Sequence, residues 1–90
     1  MRELGIRELG ILNKIQSRTK MFITDDDLNF LETEHFRRGT FTGCIITLRG
    51  HIVGIGMTKK YKYDKESQYV ADDVSFAKAA KDYLIGEEAC

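Results

Sequence analysis

Apolar positions fall into four blocks along the chain, and each block has its own period. In residues 2–17, Leu4, Leu9, Leu12 and Ile15 lie near one helical face, with Ile11 beside them. This spacing predicts an amphipathic helix that needs a surface to pack on. Gly5 and Gly10 weaken it by roughly 1 kcal/mol each relative to Ala. Both belong to a tandem repeat, Arg2-Glu3-Leu4-Gly5-Ile6 and Arg7-Glu8-Leu9-Gly10-Ile11, which is too short for a solenoid. The second block has the clearest start. Thr24 suits an N-cap, Asp27 stands at the capping-box position, and Ile23 and Leu28 form a hydrophobic staple. Asp25, Asp26 and Asp27 complement the helix dipole. The pattern predicts a helix from Thr24 to Arg38, ending at Gly39, with Leu28, Leu31 and His35 on one stripe.

From Thr40 the period changes to two. Thr40–Leu48 and His51–Thr58 read as strands joined by Arg49-Gly50, a two-residue hairpin turn. Pairing Leu48 with His51 then sets Ile46 opposite Val53, Cys44 opposite Ile55 and Thr42 opposite Met57 on the apolar face. The other face would carry Phe41, Ile45 and Ile52 around Gly43, Gly54 and Gly56. Lys59 to Gln68 is polar and irregular. Tyr61 and Tyr63 alternate with lysines, which extends the second strand to about residue 63, and Gln68–Ala71 can add a short third strand. A last helix opens at Asp72 or Asp73, with Val74, Ala77, Ala80 and Leu84 in one stripe widened by Phe76 and Tyr83, and stops at Gly86.

The predicted order is α-α-β-β-α. This is an α+β domain whose antiparallel hairpin packs against helices on one face. Residues 1–90 form a single domain, with 1–20 a semi-independent amphipathic helix and 87–90 a loose tail.

Composition narrows the function classes. The 90 residues hold 14 basic and 14 acidic side chains, which excludes a simple polycation or a polyanionic nucleic-acid mimic. The charge is segregated: residues 1–23 carry a net +3, 24–36 a net −5, 37–62 a net +6 and 63–90 a net −4. Such a surface is dipolar and suits a partner of mixed charge. The longest apolar run is three residues, so no segment reads as a membrane span or signal core. Two cysteines make no disulfide framework and fit a reducing, cytoplasmic compartment.

No catalytic constellation is legible. Gly54-Ile55-Gly56 lacks the third glycine of a dinucleotide fingerprint, and Lys59 stands where it belongs. Asp25-Asp26-Asp27 lacks the Gly and Glu of a calcium loop, Phe30 and Phe36 occupying those positions. His35, Cys44, His51 and Cys90 have no zinc spacing. The expectation is a non-enzymatic chain with no cofactor and no metal. Lys59-Lys60-Tyr61-Lys62-Tyr63 mixes base and aromatic groups, a composition able to meet phosphates and stack bases. The candidate partner-binding residues are Phe41, Ile45, Ile52, Lys59, Lys60, Tyr61, Lys62, Tyr63, Asp25 and Asp26.

Two resemblances bear on these residues. Gly54 to Lys60 is similar to the stretch by which the last strand of a double-stranded RNA-binding domain enters its final helix. The expected opening of the last helix at Asp72-Asp73 departs from that domain, since acids there repel phosphate. Residues 40–84 resemble a group of small bacteriophage and prophage proteins with a hairpin, a polar loop and a helix. Their pattern is roughly Gly-x-Ala-x(5)-Asp followed by Ile-Ala-x-x-Arg-Ala. This chain has Gly56-Met57-Thr58, Asp64 and Val74-Ser75-Phe76-Ala77-Lys78-Ala79 at the same spacing, with Thr58, Ser75 and Lys78 as departures and Ala71 where a glycine is usual. The resemblance implies an accessory phage protein that binds and inhibits a host protein, such as a CRISPR effector or another defence nuclease, in the host cytoplasm. A small nucleic-acid-binding module is the alternative, a structural or assembly subunit the second alternative, and a homodimer is compatible with each. No membrane partner is expected.

Overall fold

The computed structural model describes residues 2–59 and 65–86, with side chains described for 2–59 and 69–86. In chain order the elements are β1 (Arg2–Glu3), α1 (Ile6–Thr19), α2 (Asp25–Leu28), β2 (Leu31–Arg38), β3 (Phe41–Leu48), β4 (His51–Lys59) and α3 (Lys65–Ile85). The strands form one antiparallel sheet in the order β1-β2-β3-β4. The class is α+β, with α1 and α3 on the same side of the sheet.

The element order departs from the expected α-α-β-β-α at the second block. The capped start is there: Thr24 accepts a hydrogen bond from the Asp27 N–H at 3.2 Å. The helix, however, ends after Leu28, and residues 31–38 form β2. Leu31, Thr33 and His35 alternate inward with Glu32, Glu34 and Phe36, a period of two that the cap signals masked. Gly39 has a φ of 60° and turns the chain into β3, so this glycine closes a hairpin.

The second hairpin turns at Arg49-Gly50, both at positive φ, as expected. Leu48 pairs with His51 and Thr47 with Ile52. A β-bulge then leaves Val53 without a partner and shifts the rest of β4 by one residue. Ile46 pairs with Gly54, Ile45 with Ile55, Cys44 with Gly56 and Gly43 with Met57. The expected pairs Ile46–Val53, Cys44–Ile55 and Thr42–Met57 are therefore corrected. Gly54 and Gly56 face the helices, and Ile55 and Met57 face away.

Those glycines are what lets α3 lie on β4. A Cβ at Gly54 would meet the Ala79 carbonyl, and one at Gly56 the Ser75 carbonyl. Helix α3 starts near Lys65 instead of Asp72, so Gln68–Ala71 is helix and not a third strand. Its buried residues are Ala71, Ser75, Phe76, Ala79 and Ala80. The stripe is thus rotated from the expected one, and Val74 remains 37% exposed. Small side chains at 75 and 79 sit where backbone meets backbone. Gly86, at a φ of 65°, ends the helix as expected.

The core joins Leu12 and Ile15 of α1, Leu31 of β2, Cys44 and Ile46 of β3, and Phe76, Ala79 and Ala80 of α3. Helix α1 therefore shares the face that α3 covers, and it leaves the other sheet face open. The two copies of the pentapeptide differ in structure. The first forms β1 and the Gly5 N-cap, and the second lies within α1.

Candidate interaction surface

Strand alternation and the observed pairings lay out the open face as four rows across β2, β3 and β4. They are Arg38-Phe41-Lys59, Phe36-Gly43-Met57, Glu34-Ile45-Ile55 and Glu32-Thr47-Ile52. Phe41, Ile52, Ile55 and Met57 keep between 38 and 59% of their surface exposed. The Phe36 ring lies over Gly43, where a Cβ would collide with it. An aromatic ring laid on a cross-strand glycine restores packing that the glycine lacks. The result is an apolar sheet surface, with acids at the β2 margin and bases at the Arg38-Lys59 end.

Side chains of α3 occupy two backbone groups on the outer edge of β4, which hinders strand addition at that point. The Ile55 N–H donates to Asp82 Oδ2 at 3.1 Å, and Lys78 Nζ donates to the Met57 carbonyl at 3.0 Å.

Of the sequence-predicted site residues, Phe41, Ile45, Ile52 and Lys59 are brought together on this face. Lys60, Tyr61, Lys62 and Tyr63 lie outside the described residues, as does Cys90. Asp25 and Asp26 are elsewhere: α2 sits by the Arg49 turn, where Arg49 bonds Asp26 at 2.8 Å and stacks over Phe30. That turn is roughly 25 Å from Lys59, the length of the hairpin at about 3.3 Å per residue. The face belongs to Gly43 alone of the three expected glycines, since Gly54 and Gly56 are under α3. Sequence reasoning missed Ile55 and Met57, hidden by the bulge, and Glu32, Glu34, Phe36 and Arg38, hidden by the helix assignment. The alternation of residues 31–36 was the available signal.

A second cluster lies on the helix side. Glu8 accepts from the Gly5 N–H at 2.9 Å, from Arg2 at 2.6 Å and from His35 Nε2 at 3.1 Å. Burial pushes the Glu8 carboxyl up, but the His35, Arg2 and Gly5 hydrogen bonds outweigh it and hold its pKa at about 2. His35 Nδ1 is buried without a hydrogen-bond partner among the described residues, 3.8 Å from Asp72 Oδ1. Arg37 also meets Asp72, and Arg7 holds Asp73 at 2.8 Å. These pairs join β1, α1, β2 and α3 around a cleft of ≈ 260 Å³. Cys44, the cross-strand neighbour of His35, bonds Thr33 Oγ1 at 3.0 Å instead of the imidazole. Burial raises the Cys44 thiol to about 11 despite that bond, which makes it a poor nucleophile. His51 stands exposed at the hairpin turn. Among the described residues, no three His, Cys, Asp or Glu are placed to hold a metal. No helix among them is long and apolar enough to cross a membrane.

Compared with protein-family models, curated proteins and solved structures, the chain matches none of them.

Proposed function

We propose that this protein is non-catalytic and works by protein–protein contact through its open sheet face. One observation carries the reading: Phe41, Ile45, Ile52, Ile55 and Met57 share an uncovered sheet face. Contiguous exposed apolar surface of this kind marks interaction sites. The accessory role implied by the phage-protein resemblance, inhibition of a host protein such as a defence nuclease, is the specific form of this reading.

The test is affinity capture from host lysate with wild type and with Ile55→Glu, before and after nuclease treatment. Ile55 is 42% exposed, so the substitution leaves the core untouched. The expected result is a captured protein that resists nuclease and is lost with Ile55→Glu. Capture that ignores Ile55→Glu would sink the reading.

Nucleic-acid binding is the second reading, and one observation favours it. Helix α3 opens at Lys65, close behind the Lys59–Tyr63 tract, so Asp72 and Asp73 lie two turns inside the helix, away from the N-terminal end where their charge would repel a phosphate. A gel-shift series separates the two. The protein-contact reading expects no binding tighter than about 10⁻⁴–10⁻⁶ M at physiological salt. Nanomolar, salt-sensitive binding that Lys59→Glu abolishes would put nucleic acid first.

A further inference from the structure

We propose that the occupant of the open face is a second copy of this chain, docked about a twofold axis that crosses the strands. The inference rests on the reading of that face as a protein contact and specifies the partner. A twofold lying in the interface, perpendicular to the strands, turns the first row of one copy onto the fourth row of the other. Each strand column then meets its own counterpart. Arg38 comes to face Glu32 of the second copy, and Glu32 faces its Arg38. Phe41 lies over Thr47, which is already buried in its own chain, Lys59 over Ile52, Glu34 over Phe36, Met57 over Ile55, and Ile45 over the Phe36-covered Gly43. An isologous interface requires self-complementarity of this type.

The charges select this axis. Neither Glu32 nor Arg38 has an ion-pair partner among the described residues. Both stand on β2, six positions apart, too far to satisfy one another within a chain. The other in-plane twofold, running along the strands, sets Arg38 against Lys59 and both glutamates against isoleucines. That arrangement sets like charges face to face at one end and matches no opposite pair, whereas the first axis matches Arg38 with Glu32 twice. The α3 contacts to Ile55 and Met57 disfavour strand addition on β4 as a competitor.

Area sets the strength. Three strands at about 4.8 Å spacing and about 26 Å length project to roughly 400 Å² per copy, so roughly 800 Å² for the pair. This is below the range of stable specific interfaces and within that of weak, transient ones, so association in the micromolar range or weaker is expected. In the dimer the sheets form the buried middle, and the α1/α3 layers face outward.

Sedimentation of the full chain at concentrations up to about 1 mM tests the proposal. Wild type is expected to dimerise. R38E and E32R should each weaken dimerisation by at least about tenfold, because each places like charges face to face twice. An equimolar mixture of the two should restore it: one chain then carries acids at both positions and the other bases at both. Circular dichroism of each variant checks that it is folded. A mixture of folded variants that stays monomeric overturns the proposal, as does a wild type that is monomeric throughout. If that monomer still captures a protein in an Ile55-dependent way, the second copy is excluded and the protein-contact reading stands. If its capture ignores Ile55, both are excluded.

Discussion

Two side chains show how burial divides stability from reactivity. Cys44 is fully buried, and its thiol is pushed up to about 11 by burial with a partial offset from Thr33. Native-state labelling of Cys44 by a thiol reagent is therefore expected to follow opening of the α3 layer, and adding denaturant should accelerate it sharply. Fast labelling in native buffer would mean that the helix side is uncovered. Glu8 works in the opposite direction. Its folded pKa of about 2 lies below the ordinary 4.5, so its ionised form stabilises the fold above that ordinary value. The contribution is lost as pH falls from about 4.5 toward 2. Glu8→Gln should lower the thermal midpoint at neutral pH and flatten its fall in acid. A wild-type acid profile that persists unchanged in the variant would remove Glu8 from that role.

At the scale of elements, the tightest contact is between β4 and α3. Gly54 and Gly56 oppose backbone carbonyls of Ala79 and Ser75, with no flexible side chain between that can give way. Gly54→Val is expected to destabilise by at least about 2 kcal/mol through overpacking and loss of this approach. The drop in thermal midpoint should be the same at every protein concentration, since the contact lies inside one chain. A folded variant that only loses association would place Gly54 on a partner surface. The same contact explains the rotated stripe of α3. Small residues at Ala71, Ser75 and Ala79 take the sheet side, and the larger Val74 is left partly exposed.

At the scale of the whole molecule, α1 and α3 pack on one sheet face, which leaves the apolar rows of the other uncovered. Alternation and turn chemistry made much of this legible in the sequence alone. The α+β class, the Arg49-Gly50 turn, the buried Cys44, the Thr24 cap, the Gly86 stop and the grouping of Phe41, Ile45 and Ile52 all follow from local rules. These features depend on a few neighbouring residues, and neighbours are what a sequence displays. Tertiary structure decided the rest. The pentapeptide Arg-Glu-Leu-Gly-Ile occurs twice, once as strand and cap and once as helix, so its conformation is chosen by what it packs against. Residues 31–38 carry a helix start upstream and an alternating pattern within, and pairing with β3 settled the contest in favour of strand. The bulge at Val53 has no local signature. It allows Gly54 and Gly56 to meet α3, and it moves Ile55 and Met57 to the open face. Register is a long-range property, and a shift of one residue exchanges the two faces of a strand. Which glycines lie in the core and which isoleucines lie on the open face therefore depends on how α3 packs on the sheet.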